Sequence, residues 1–225
     1  MLTGPTYLVY SLRNIDRGGQ DDFKYCQGSS TMPAANLNIA VVCSSNMNRS
    51  MEAHAFLSKK GFKVRSFGTG DKVKLPGTGP DRPNVYDFSC TYDEIYQDLL
   101  NKDKTFYTQN GLLNMIDRNR RIKPKPERFQ LCKEKFDIVV TCEERVYDQV
   151  VEYFENRSTS DNASVHVINV DIQDNHEEAT LGAFLICELV TLMTKSDDLD
   201  NDIDELLNEH ESKCQRPILH CVLFY

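Results

Sequence analysis

The chain has 225 residues, 40% of them hydrophobic and 27% charged, which suits one α/β domain with a sizeable core. Its net charge of −8 is unevenly placed: residues 197–211 carry eight acidic residues and no Lys or Arg, while residues 118–128 hold six Lys and Arg against Glu127 alone. No apolar run approaches the roughly 20 residues that span a bilayer, the basic patch lacks the interleaved aromatics of a nucleic-acid reader, and the eight cysteines show neither Cys-x-x-Cys nor zinc-ligand spacing, so membrane, direct nucleic-acid and metal or disulfide classes are not expected.

Residues 1–31 have no sustained hydrophobic period and read as a loose extension ahead of a domain over residues 32–225. Residues 38–42, NIAVV, form a short continuous apolar run, as expected of a strand covered on both faces. A polar loop over 43–49 precedes a helix over 50–61, with Ala53, Phe56 and Leu57 inward and Gly61 ending it. Residues 64–67 make a second strand, and the Gly- and Pro-rich stretch 68–83 reads as loop. Helices are expected over 92–102 and 109–121, a third strand over 136–141, a helix over 143–156, a fourth strand over 165–170 and a helix over about 177–194. The acidic run places Leu199, Ile203, Leu206 and Leu207 at helical spacing, and residues 218–224, ILHCVLF, close the chain as a strand. Alternating strands and helices predict a central parallel sheet with helices on both faces. Ligands bind such sheets beyond the carboxyl ends of the strands, so the loops opening at Cys43, Thr141 and Asp171 should share one face.

Cys43-Ser44-Ser45-Asn46-Met47-Asn48-Arg49-Ser50 fits Cys-x5-Arg-Ser between a strand and a helix. A loop in that place directs backbone N–H groups inward, and the helix amino terminus adds positive potential. Such a field favours a thiolate at Cys43, the form that attacks phosphorus, while Arg49 returns to the loop mouth with a planar fork suited to two phosphate oxygens. Ser50 is placed to donate to the thiolate. The spacing alone is weak, since chance gives a Cys-x5-Arg in roughly a third of chains of this composition. Context adds weight: the cysteine directly follows the apolar strand, the arginine stands where a helix begins, and no other cysteine has Arg six residues later. Ester cleavage also needs an acid for the leaving oxygen. Asp171 and Asp174 are the candidates, Asp171 suited to capping the turn and Asp174 further out beside Asn175 and His176. Glu143 and Glu144 read more simply as first-turn helix residues, and His176 as a solvent-loop histidine.

The blocks VVCSSNMNRSMEAH, VRSFGTG, KLPG, YTQNGLLNMIDRNRRIKP, PERF, EERVYD, VDIQDNHEEATLGAF and ILHCVLFY resemble the Ssu-seventy-two (Ssu72) family of RNA polymerase II carboxy-terminal-domain phosphatases, from about Asn38 to Tyr225. The resemblance implies a fold like that of low-molecular-weight tyrosine phosphatases, with extra helices and a C-terminal strand. It implies removal of phosphate from the fifth-position serine of Tyr-Ser-Pro-Thr-Ser-Pro-Ser repeats through a phosphocysteine, without a cofactor. It also implies work in the nucleus, in mRNA cleavage, polyadenylation and transcription termination, with a symplekin-type scaffold. The family's cysteine, arginine and acid match Cys43, Arg49 and Asp174, residues 44–50 match its phosphate loop, and Lys74, Leu75, Pro76 and Met115 resemble its substrate groove. The alternative enzymes are a low-molecular-weight tyrosine phosphatase and an arsenate reductase. The first expects Asp-Pro with nearby tyrosines, where this chain has Asp174-Asn175-His176, and the second expects relay cysteines, whereas Cys132, Cys142 and Cys187 show no relay spacing. A non-catalytic adaptor is the alternative from another class.

Overall fold

Side-chain alternation in the first strand, β1 (Asn38–Cys43), sets the layers: Ile39, Val41 and Cys43 join one hydrophobic cluster, Ala40 and Val42 another, and all five are buried. A strand covered on both faces must be apolar at every position, and burying each aliphatic side chain contributes roughly 1.5–3 kcal/mol. The computed structural model describes residues 37–79, 81–157 and 162–225; the expected extension over residues 1–31 lies outside them.

After β1 come α1 (Arg49–Lys59), β2 (Lys63–Gly68), a hairpin of β3 (Val73–Leu75) and β4 (Asn84–Tyr86), α2 (Tyr92–Gln109) and α3 (Leu112–Ile122). A short 3-10 turn at Phe129–Leu131 leads to β5 (Ile138–Thr141), α4 (Glu144–Glu155), β6 (Ser164–Val170), α5 (His176–Met193), α6 (Leu199–Cys214) and β7 (Ile218–Phe224). The main sheet has the order β2-β1-β5-β6-β7, parallel throughout except for the antiparallel edge pairing of β7 on β6. One face packs against α1, α5 and α6, and the other against α4 with Phe129, Phe136 and Tyr225. A third cluster joins α2, α3 and the small hairpin to Met47 and Met51.

The expected strands and helices are present, with three departures beyond shifts of one or two residues at element ends. Residues 68–83 are not all loop: Val73 and Leu75 are buried on either side of exposed Lys74, a strand too short to show a period. The helix expected to stop at Lys102 continues to Gln109 across a kink at Asp103, whose carboxylate accepts from the Phe106 N–H (2.9 Å) and restarts the helix. The next helix starts at Leu112 rather than Gln109, because Gly111 takes a left-handed conformation (φ 81°). The basic patch is largely neutralised at home: Arg118 pairs with Glu52, Arg120 with Asp93 and Asp117, Arg121 with Asp117, Lys123 with Glu127 and Arg128 with Asp71. Among the described residues no helix is long and apolar enough to cross a membrane.

Candidate active site

Five carbonyls of the loop after β1 point outward. Cys43 O accepts from the Thr69 N–H (3.0 Å) and Ser44 O from the Gly70 N–H (2.9 Å). Asn46 O accepts from the Tyr92 hydroxyl (2.6 Å), Met47 O from Asn119 Nδ2 (2.7 Å) and Arg118 Nη2 (3.0 Å), and Asn48 O from the Glu52 N–H (2.9 Å). In a planar trans peptide the following N–H points the opposite way. The N–H groups of Ser44, Ser45, Met47, Asn48 and Arg49 are therefore turned away from these partners, toward the loop's centre. Together with the amino end of α1 they form an anion cradle.

Glycines let β2 and its following loop come this close. A Cβ at Gly68 would lie 2.8 Å from Ser44 O, and one at Gly70 would lie 3.0 Å from it. Asn46 is the buried keystone: it sits at φ 53°, donates to Ser50 Oγ (3.0 Å) and accepts from the Glu127 N–H (3.0 Å). Its side chain is thus committed inside the loop and leaves only backbone for an anion. At the cradle's base, Cys43 Sγ lies 3.1 Å from Ser50 Oγ, as the Cys-x5-Arg-Ser spacing predicts.

Arg49 is 3% exposed and anchored through Nη1 to the carbonyls of Ile172 (2.8 Å) and Cys142 (3.3 Å). This joins the ends of β1, β5 and β6 on one face, as expected of a parallel sheet. Nη2 meets Glu143 at 2.7 Å and Asp174 at 3.5 Å, while the buried Nε has no protein partner. Burial by itself would lower the Arg49 pKa, but Cys43, Asp174, Cys142 and Glu143 outweigh it and the group is raised above its ordinary value. Arg49 is held charged, with one edge fixed and Nε free for an oxyanion.

Asp174 lies exposed just before α5, where Asn48 Nδ2 donates to it at 3.0 Å. The next residue, Asn175, caps α5 by accepting from the Glu178 N–H (2.9 Å). Asp171 is placed elsewhere: its carbonyl accepts from Arg216 (3.1 Å), and it does not line the cleft over Cys43. Glu143 needs correction. It occupies the N-cap position of α4 without a side-chain capping bond, because its carboxylate is drawn to Arg49 instead. His176 also does more than meet solvent, since it lines the cleft beside Asp174.

That cleft, of about 250 Å³, opens over Cys43 and brings Lys74, Leu75 and Pro76 of the hairpin to Met115 of α3 and Met47 of the loop. All four groove residues expected from the sequence therefore converge. The bracing residues Tyr92, Arg118, Asn119 and Glu143 were not expected, since they lie far along the chain in elements that read simply as helix. Among the described residues no group of three or more His, Cys, Asp or Glu converges as metal ligands.

The sequence profile of the family described as Ssu72-like protein matches residues 37–225. The RNA polymerase II C-terminal domain phosphatases SSU72 of Bos taurus and Homo sapiens are each 66% identical over 194 residues, covering 86% of this chain and 100% of theirs. The serine phosphatase of the RNA polymerase II CTD (SSU72 superfamily) from Drosophila melanogaster superposes with a TM-score of 0.83 at 64% identity, covering 84% of this chain and 100% of that one. D. melanogaster Ssu72 solved with Symplekin and a cis peptidomimetic CTD peptide, phosphorylated on the fifth-position serine, gives a TM-score of 0.82 at 63% identity, over 84% of this chain and 99% of that one.

Proposed function

This chain belongs to the Ssu72 family, and on that premise we propose that residues 32–225 form a cysteine-dependent protein serine phosphatase acting on the carboxy-terminal domain of RNA polymerase II. Its substrate is phosphoserine at the fifth position of the repeat, followed by proline. It works in the nucleus with a symplekin-type scaffold, in mRNA cleavage, polyadenylation and transcription termination. The observation that carries the reading is the convergence, at the carboxyl ends of β1, β5 and β6, of Cys43 Sγ, the inward N–H groups of the loop, the free Nε of Arg49 and the carboxylate of Asp174.

The phosphate sits in the N–H cradle with Arg49 Nε and Nη2 on its equatorial oxygens. The Cys43 thiolate attacks phosphorus, the S–P bond forms and the P–O bond to serine breaks. Asp174 gives its proton to the leaving serine oxygen. Asp174, now a carboxylate, takes a proton from water as that water attacks the phosphocysteine. The S–P bond breaks, inorganic phosphate departs, and the Ser50 hydroxyl donates to the returning thiolate across the 3.1 Å contact. Arg49 stays charged throughout and acts by position and field.

A reductase relay is disfavoured by the other thiols: burial raises the pKa of Cys132, Cys142 and Cys187, the reverse of what a nucleophilic relay needs. The test is a panel of phosphopeptides, polymerase-repeat and phosphotyrosine included, assayed with wild type, Cys43→Ser and Arg49→Ala. Wild type should turn over the phosphoserine-proline peptides and both variants should lose activity by at least about 100-fold. Substantial turnover by Cys43→Ser, or preference for phosphotyrosine, would sink the assignment.

A further inference from the structure

A second and larger groove, of about 760 Å³, meets the cleft over Cys43 at Ser45, Lys74 and Asp174. It runs between the loop after β2, the 3-10 turn and α4, and four cations border it: Lys72, Lys74, Arg128 and Arg145. Lys74 and Arg145 are exposed, and no carboxylate among the described residues pairs with either. Lys72 and Arg128 have partners, Asp87 and Asp71, but those carboxylates are 61% and 93% exposed and easily exchanged for a better anion. Asp71, Glu152 and Asp174 are the opposing charges on the wall, so four cations face three carboxylates.

The wall is also polar and incompletely satisfied. Thr69 Oγ1, Arg128 Nε, Gln130 Oε1 and Gln149 Oε1 are buried without a protein partner, four of the six such side-chain atoms among the described residues. Buried polar atoms are ordinarily paired, so a cluster of them along one groove marks a place where something polar is received. Two are donors or can donate, Arg128 Nε and the Thr69 hydroxyl, and Gln149 can turn its amide to present N–H, whereas Gln130 Nε2 is already committed to the Thr69 carbonyl (2.9 Å).

We propose that this groove is a second anion subsite, receiving a further phosphate of the same polypeptide whose phosphoserine occupies the catalytic loop; the proposal rests on the phosphatase reading above. The shared border at Ser45, Lys74 and Asp174 makes the groove a continuation of the substrate path. A repeat with hydroxyl residues on both sides of the target serine offers second phosphates within a few residues, each extended residue spanning about 3.3–3.6 Å. Nucleic acid fits less well, because Tyr153 is the one aromatic on the wall and base stacking needs a platform.

Binding to full-length Cys43→Ser, measured by calorimetry, reads the subsite without turnover. The probes are a repeat peptide with one phosphoserine before proline, and two versions carrying a second phosphate on its amino or carboxyl side. One doubly phosphorylated peptide should bind about tenfold tighter than the single one. Adding Arg145→Glu should remove that gain, leave the singly phosphorylated peptide's affinity within about twofold, and make the gain's former salt dependence disappear. With Cys43 intact, Arg145→Glu should hydrolyse a small aryl phosphate at the wild-type rate. Equal binding of all three peptides would overturn the proposal, as would a gain that survives Arg145→Glu combined with Arg128→Gln. A single-stranded oligonucleotide that competes while the second phosphate adds nothing would overturn it in favour of nucleic acid. A phosphate gain in a protein that hydrolyses no phosphoester would support the subsite and sink the phosphatase reading instead.

Discussion

The side-chain amide of Asn48 donates to the Asp174 carboxylate across 3.0 Å, tying the end of the phosphate loop to a residue 126 positions away. The other group facing that carboxylate, Arg49 Nη2, stands further off at 3.5 Å. An acid on an exposed loop is thereby held at the cleft that Cys43 also lines. Replacing it should matter in proportion to the leaving group. A serine alkoxide needs its proton in the transition state, whereas a nitrophenolate leaves nearly unaided. Asp174→Asn should therefore lower kcat for a phosphoserine peptide by about 10²–10⁴-fold and far less for nitrophenyl phosphate. Asn48→Ala should show the same leaving-group dependence in weaker form, because the acid remains but its position is lost. Equal losses on both substrates would argue that Asp174 acts on binding; a larger selective loss in Asp171→Asn would move the acid to that residue.

Asn46 is predicted to be the costliest loop residue to replace for stability. Its loss strands the half-buried Glu127 N–H, at about 1–3 kcal/mol for an unsatisfied group, and leaves the Ser50 hydroxyl with Cys43 Sγ alone. Alanine adds a second cost, about 1 kcal/mol or more for holding a non-glycine residue at φ 53° without a side chain that bonds locally. Urea unfolding should thus rank wild type above Asn46→Gly, and Asn46→Gly above Asn46→Ala. If alanine proves as stable as glycine, backbone strain has no part in the loop's energetics.

The sheet and the phosphate loop could be read from the residues because their signals are local. NIAVV runs straight into Cys43, and six residues later Arg49 stands at the head of α1. The convergence of the β1, β5 and β6 ends follows from parallel topology, and Arg49's contacts with the carbonyls of Cys142 and Ile172 realise it. What surrounds the loop had no such signal. Tyr92 reaches Asn46 from the start of α2, Asn119 reaches Met47 from α3, and Glu143 forgoes its cap for Arg49; each bond is fixed only by tertiary packing. The hairpin that brings Lys74–Pro76 to the cleft escaped notice because three residues cannot show alternation, although the family resemblance marked them.

His54 should make the protein less stable on mild acidification. It is 9% exposed, lies 2.8 Å from Ser66 Oγ, and has its pKa pushed down to about 4 by burial, with Lys123 and Arg65 adding to the shift and Glu127 opposing it. The unfolded histidine titrates near its ordinary 6.5. Above that pH neither state binds the proton and His54 has no pH-dependent effect. Between about 6.5 and about 4 the unfolded state alone is protonated, so stability falls as pH falls and then levels off. From about pH 7.5 to about pH 5 the loss should be on the order of 2 kcal/mol. Urea midpoints measured at both pH values for wild type and His54→Asn isolate the effect from that of titrating carboxylates. An unchanged pH slope in the variant would remove His54 from the acid response.

The apolar cleft predicts how substrate isomers are consumed. Met47, Leu75, Pro76 and Met115 wall it on one side of Cys43, and Asp174 stands at its edge. A cis peptide bond after phosphoserine folds the proline back toward the phosphate, so ring and leaving oxygen fit one side of the loop; a trans bond carries the ring away from that wall. In a flexible peptide about 10–30% of such bonds are cis, and exchange takes tens of seconds or longer. With enzyme in large excess, a phosphoserine-proline peptide should disappear in two phases. The fast one should match the cis fraction, and the slow one should run at the rate of isomerisation whatever the enzyme concentration. A prolyl isomerase should speed the slow phase and leave the fast amplitude unchanged. Widening the wall by Leu75→Ala or Met115→Ala should weaken the cis preference, seen as a slow phase that begins to depend on enzyme concentration, while nitrophenyl phosphate turnover stays near wild type. Consumption of all the peptide in one phase, faster than isomerisation and indifferent to the isomerase, would show that the cleft accepts both isomers, and the apolar wall would then set affinity for proline without selecting its geometry.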